Sequence, residues 1–220
     1  MKLRPPFNAT VLLALALMSQ PRVNSAEPAK ADKPRVLLIG DSISIGYTPA
    51  TVKLLDGVAK VTHHPGNAEN TRNGLKKLPD WLKDGPFDVI HFNWGLWDLR
   101  NGGTAVPIDE YEKNLRELVR QLQATKAKLI WCSITPVPEG AAGRTNKEVL
   151  AYNAVARKIM DENRIPCDDL YAFAEPRLAK IQQPKNVHFS NDGSATLAKQ
   201  VAESIKAVLD GKPIPEPAKP

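Results

Sequence analysis

Apolar and polar positions follow two periods along this chain. Short apolar runs occur at 36–39, 60–63, 88–93, 128–134 and 165–170, and they predict five strands. The last carries Pro166, which suits an edge position. Helical spacing fills the gaps. Leu75, Leu78, Trp81 and Leu82 share one face up to the stop at Gly85-Pro86; Tyr111, Leu115, Leu118, Val119 and Leu122 share another from about Ile108. Further helices are predicted at about 146–163, 172–181 and 193–209, and a first helix at about 49–55. Strands alternating with helices imply a parallel sheet covered on both faces. The expected fold is α/β: a three-layer α/β/α sandwich on a flavodoxin-like, mostly parallel five-stranded sheet.

The ends read differently. Lys2 and Arg4 precede an apolar run at 11–18, and small residues follow near Ser25 and Ala26. This is a signal-peptide pattern, and the run is too short to span a bilayer. The expected organisation is a signal peptide at 1–26, a flexible lead-in at 27–34, one domain at 35–210 and a Pro-rich, disordered tail at 211–220. Export to the periplasm or the extracellular space follows, with no membrane span after cleavage. The formal charge of +6 includes Lys2, Arg4 and Arg22, which leave with the signal. No basic tract is interleaved with aromatics, so nucleic acid is excluded as a partner. Cys132 and Cys167 lie in or beside strands that could be neighbours; a disulfide and two separate buried thiols are both open.

Val36-Leu37-Leu38-Ile39 runs into Gly40-Asp41-Ser42, a strand followed by residues that open helices. Ser42 then stands over a helix start at the carboxyl edge of the sheet, where ligands bind and backbone N–H groups hold anions. Right-handed crossovers bring Asn70, the 94–98 loop and the 136–144 loop to that edge; His188, just before the last helix, can reach it. The bland alternative is that Asp41 and Ser42 only cap a helix. His63-His64 is adjacent rather than clustered, strand neighbours point to opposite faces, and no metal is expected. His91 reads as a hydrogen-bonded core histidine. No phosphate-loop glycine pattern is present, and no cofactor is expected.

Gly40-Asp41-Ser42-Ile43-Ser44, Gly95-Leu96-Trp97-Asp98 and Val187-His188-Phe189, in this order, resemble the SGNH/GDSL hydrolase family over about 35–209. The α/β-hydrolase elbow is absent, because Ser44 stands where its second glycine would be. The resemblance implies the SGNH hydrolase fold and ester hydrolysis, with Ser42 as nucleophile, His188 as base and the Ser42 N–H in the oxyanion hole. Three positions depart from the family pattern. Lys185 stands where an Asp would orient the histidine, so another group must hold it; a backbone carbonyl could do so, while Asp192, close in sequence, lies on the wrong side of the histidine for the family pattern. Trp97 takes the place of the oxyanion Asn, with Asn93 as a substitute donor. Glu69 or Asn70 falls at the second-block glycine, and only Asn70 could donate from its side chain.

Gly95 belongs to the site loop, and Asp98 is expected to organise that loop through backbone N–H bonds. Trp94 and Trp97 either line the site or pack in the core. Arg144, among small residues, is either a clamp for an acidic or hydroxylated substrate or a solvated loop arginine. The leading expectation is an exported serine esterase acting on small-molecule or carbohydrate esters, O-acetyl groups among them. The alternative is a catalytically weak or inactive relative that binds saccharide or envelope components. Oligomeric state is not legible.

Overall fold

A computed structural model of the chain describes residues 1–3, 32–103 and 105–218. Most of the expected signal peptide and lead-in lies outside the described residues. The chain divides into Met1–Asp32 and Lys33–Pro220, and every element below lies in the second unit. They are β1 (Arg35–Ile39), α1 (Ser42–Leu54), β2 (Lys60–His63), α2 (Thr71–Trp81), β3 (Val89–Phe92), α3 (Ile108–Ala124), β4 (Lys128–Cys132), α4 (Asn146–Asn163), β5 (Cys167–Asp168), α5 (Leu170–Ala174), α6 (Leu178–Ile181) and α7 (Asn191–Leu209). A 3₁₀ turn, Glu175–Arg177, joins α5 to α6.

The five strands form one parallel sheet in the order β2-β1-β3-β4-β5. The chain steps one way from β1 to β2 and the other way from β2 onward. Right-handed crossovers therefore place α1 on one face and α2, α3 and α4 on the other. α1 packs on α7, α2 on α3 and α3 on α4. The reversal lies between β1 and β3, and the crevice outside their carboxyl ends is where this sheet class binds ligands. β1, β3 and most of β4 are buried on both faces, as their apolar runs require.

Several details depart from the sequence reading: the strand expected at 165–170 pairs only at Cys167–Asp168, and the helix expected at 172–181 is broken into α5, the 3₁₀ turn and α6. The first helix starts at Ser42, not near Pro49, and Pro49 sits inside it. The tail at 212–218 has no regular structure, yet Ile214 packs against the core and Arg177 donates to the Ala218 carbonyl at 2.6 Å.

The cysteines are free thiols, and the register shows why. Cys167 pairs with Trp131, while Cys132 pairs with Asp168, so the two side chains point to opposite faces. Cys132 shares its face with a buried polar cluster. His91 Nε2 lies 2.9 Å from Asp168 Oδ2, and Gln200 of α7 donates to the other carboxylate oxygen at 3.2 Å. His91 is thus a hydrogen-bonded core residue, and Asp168 and Gln200 are the partners that sequence alone did not identify.

Candidate active site

Asp41 builds the turn between β1 and α1. Its carboxylate accepts the Ile43 N–H at 2.9 Å, which caps α1 and makes Ser42 the first helical residue. Gly40 keeps the turn tight, since a Cβ there would lie 2.8 Å from Ser44 Oγ. The Ser42 N–H belongs to the first helical turn and has no intrahelical partner. Burial pushes the Asp41 carboxyl up from its ordinary pKa, against the bond from Ile43.

The loop before α7 brings His188 to Ser42. Gln182 and Phe189 form an antiparallel bridge at its base. Gln182 Nε2 donates to the Pro136 and Val187 carbonyls at 2.9 and 3.1 Å, tying this loop to the one after β4. His188 Nε2 lies 2.9 Å from Ser42 Oγ, and His188 Nδ1 lies 2.8 Å from Asn186 Oδ1. The His188 backbone N–H donates to the same Asn186 atom at 3.0 Å. A backbone N–H can only donate, so that atom is the carboxamide oxygen, and Nδ1 must carry the proton. In that tautomer the Nε2 lone pair faces the Ser42 hydroxyl.

Asn186, then, orients the histidine, rather than a backbone carbonyl or Asp192. It lies two residues before His188, whereas the expected carboxylate position is three before. Lys185 occupies that third position with a left-handed φ of 55°, and its stem runs past Gly140 of the opposite loop. Asn186 Nδ2 is anchored in turn on Gln183 Oε1 at 3.2 Å.

Ser42, Trp97, Arg144, Asn186 and His188 line one open cleft of about 300 Å³. Arg144 Nε donates to the Leu96 carbonyl at 2.7 Å. The Arg100 guanidinium lies 5.3 Å from the Trp97 ring centre. Trp94 is not part of this cleft: it is buried in the core.

The remaining sequence candidates form the scaffold behind it. Asp98 is fully buried and accepts from Thr71 N at 2.9 Å and Thr71 Oγ1 at 2.5 Å, pinning the start of α2 to the 95–98 loop. Burial raises its pKa to about 6. Gly95 has φ +139°, and a Cβ there would lie 2.2 Å from Ile134 Cδ1, so only glycine fits. Asn70 caps α2 by accepting from Asn73 N at 3.0 Å. Glu69, at the second-block glycine place, takes a glycine-like φ of 53°, and its N–H donates to Asn67 Oδ1 at 2.8 Å. Asn93 does not reach the cleft. Its Nδ2 donates to the Cys132 carbonyl at 2.7 Å, and it lines a separate cavity of about 10 Å³ with Asp41, Ser44 and Tyr47. Of the residues expected to replace the oxyanion Asn, Trp97 is the one in the cleft with Ser42.

A second serine–histidine pair lies just behind the first. Ser44 Oγ is 2.7 Å from His63 Nε2, and His63 Nδ1 donates to the His64 carbonyl at 2.7 Å. Burial lowers the His63 pKa to about 4, so the ring is neutral and Nε2 is an acceptor; the single Ser44 hydroxyl hydrogen lies between it and the Asp41 carbonyl, 2.9 Å away. His63 and His64 do not point apart as adjacent strand residues would. β2 ends at His63, and the two rings stack at 4.4 Å. His64 Nε2 lies 3.0 Å from the Gly40 carbonyl, so both histidines brace the turn that carries Ser42.

The family model of the GDSL-like lipase/acylhydrolase family matches residues 38–196. No curated protein sequence matches the chain. Among solved structures, a lipase/acylhydrolase from Enterococcus faecalis superposes with a TM-score of 0.70 at 20% identity, covering 85% of this chain and 100% of that one. An acetylxylan esterase from Geobacillus stearothermophilus gives 0.66 at 19%, covering 77% and 93%. Another acetyl xylan esterase gives 0.65 at 18%, covering 76% and 97%. At these identities the likeness is one of fold: the parallel five-stranded sheet between helical layers is the SGNH hydrolase fold.

Proposed function

The chain belongs to the GDSL-like lipase/acylhydrolase family, and from that premise we propose that it is an exported serine esterase whose nucleophile is Ser42 and whose base is His188. The observation that carries the reading is the chain of contacts from Ser42 Oγ to His188 Nε2 and from His188 Nδ1 to Asn186 Oδ1. A serine hydroxyl is a weak nucleophile at its own pKa and needs such a base. As Ser42 Oγ attacks the ester carbonyl, its proton passes to Nε2, and the carbonyl electron pair moves to oxygen as the oxyanion. The Ser42 N–H at the helix start faces that charge. Collapse of the intermediate breaks the bond to the alcohol oxygen, which takes the proton from Nε2 and leaves. Water then attacks the acyl carbon as the same nitrogen takes its proton, and as the bond to Ser42 Oγ breaks that proton passes to Oγ and the acid leaves.

Asn186 holds the imidazole tautomer without adding a negative charge, as Asn does in some other nucleophile–histidine triads. The substrate reading is an O-acetyl ester of a carbohydrate. Trp97 offers an aromatic face for a sugar ring, and acetylxylan esterases share the fold. Hydrolysis of a chromogenic acetate ester by the wild type, lost in Ser42→Ala, is the expected result. Equal rates in the two proteins overturn the role of Ser42. Release of acetate from an acetylated xylo-oligosaccharide tests the substrate class.

A saccharide-binding protein of weak activity is the second reading. Trp97 at the oxyanion Asn place favours it, since losing one oxyanion donor costs about 3–4 kcal/mol of transition-state stabilisation. It predicts saccharide binding with no fluorophosphonate label on Ser42.

A further inference from the structure

The cleft around Ser42 is lined by three cations: Arg100, Arg144 and Lys185. No carboxylate lines it. None of the ion pairs among the described residues includes any of the three. By contrast, Arg72, Arg116, Arg120 and Arg157 each meet an acidic partner. Arg144 is the most telling, because it is half-buried and its Nε is held by a neutral carbonyl, that of Leu96. Burial and the nearby Arg100 charge both work against its own charge, and Asp41 offsets them only in part. Asp41 is itself buried and spends a carboxylate oxygen on the Ile43 N–H. A partly desolvated cation beside a like charge is costly unless an anion arrives to face it. Arginine's planar fork suits a carboxylate.

We propose that the cleft selects esters whose alcohol part carries a carboxylate, such as an O-acetylated uronic acid, with Arg144 as the anchor and Arg100 and Lys185 as flanking cations. The alcohol side is favoured by the placing of the charges. Arg100 lies over the Trp97 ring, and Arg144 is tied to the residue before Trp97. The cations therefore share a wall with Trp97, the side chain on which the sugar reading rests. This inference rests on the esterase reading, and its test keeps the two apart.

kcat/KM is measured for acetylated methyl glucuronoside and acetylated methyl glucoside, which differ in the carboxylate. The wild type is expected to favour the uronoside at least about tenfold at low salt, equivalent to ~1.4 kcal/mol. Added sodium chloride should shrink the ratio. Arg144→Gln and Arg100→Gln should each move it toward one, with circular dichroism confirming the fold. In parallel, calorimetry follows the binding of unacetylated methyl glucuronoside and methyl glucoside to Ser42→Ala. Equal hydrolysis of both esters overturns the inference and leaves the esterase standing. Preferential uronoside binding with no hydrolysis of either ester by the wild type upholds the inference and overturns the esterase. A uronoside preference that survives both arginine substitutions overturns the assignment of the cleft, as does the absence of any uronoside binding.

Discussion

Two serine–histidine pairs sit two residues apart on α1 with nearly the same contact distance. Ser42 meets His188 at 2.9 Å, and Ser44 meets His63 at 2.7 Å. In each pair the far ring nitrogen donates to an oxygen, which fixes the tautomer. The surroundings separate them. Ser42 opens on a cleft of about 300 Å³. Ser44 is 2% exposed, beside a cavity of about 10 Å³, roughly one water's worth. His63, held near pKa 4, is a poor acid–base catalyst at neutral pH, where catalysis wants a pKa near the working pH. A serine–histidine contact is therefore not by itself a reactive site. Access separates the two, and the enclosed Ser44 with His63 braces the turn beneath the open pair.

The largest contrast is in rate. Ser42→Ala should lower kcat/KM on a small acetate ester by at least about 10⁴, while Ser44→Ala should change it by no more than about threefold. Side-by-side assays decide it; a comparable collapse in both variants would erase the distinction. The next effect falls on Asn186. Asn186→Ala removes the acceptor that holds the Nδ1 proton, and a misplaced tautomer costs up to about 10⁴ in related triads. A loss of about 10²–10³ is expected, because the ring keeps its contact with Ser42. Asn186→Asp should retain activity and raise the pKa of the acid limb of kcat/KM, since a carboxylate there favours the imidazolium. A pH profile identical to that of the wild type would argue against Asn186 as the orienting group.

The two pairs were not equally legible in the sequence. The β strands and long helices followed from apolar periodicity because each buries one face or both. Ser42 and His188 stood out because their motifs lie at a strand end and just before a helix. Asn186 was hidden because its contact depends on backbone shape: Lys185 takes a left-handed turn, which lays the Asn186 side chain over a histidine two residues on. α1 starts at Ser42 under the Asp41 cap, as the Gly40-Asp41-Ser42 turn implies, and so runs seven residues ahead of the segment at about 49–55. Ser44–His63 is not legible because His63 belongs to none of the motifs that carry the family resemblance, and because the rule that strand neighbours alternate fails once β2 ends at His63.

The brace should also show in the pH dependence of stability. His63 has a folded pKa of about 4 against an ordinary 6.5. As pH falls below 6.5, the unfolded chain takes up a proton that the folded one refuses, so stability is lost between about pH 6.5 and 4. The loss is at most ~3 kcal/mol for this shift. Asp98, raised to about 6 by burial, has the opposite sign: the folded state binds the extra proton, and stability is lost as pH rises from about 4 to 6. Comparing wild type with His63→Gln cancels the Asp98 contribution. Urea unfolding at pH 7 and pH 4.5 should show the wild type losing more on acidification than the variant. Parallel losses would mean that His63 is not held neutral in the fold.

The smallest effect discriminates best. Ser44→Ala takes the hydroxyl away from His63 Nε2 and from the Asp41 carbonyl, which it also meets at 2.9 Å. Alanine fits a helix well and the Asp41 carbonyl keeps the Ile45 N–H at 3.0 Å, so the cost is chiefly that of leaving His63 Nε2 unmet, about 1–2 kcal/mol, and a Tm lower by about 2–8 °C. Ser42→Ala loses a hydroxyl that is only half-buried and whose partner His188 is exposed, so its Tm should hold or rise slightly. The two alanine variants are then opposites: one silences the chemistry and spares the fold, the other loosens the fold and spares the chemistry. Calorimetry beside the ester assay reads both axes on the same samples. A Tm drop in Ser42→Ala matching that in Ser44→Ala would mean that the first serine is also a structural brace and that the division between the two pairs is wrong.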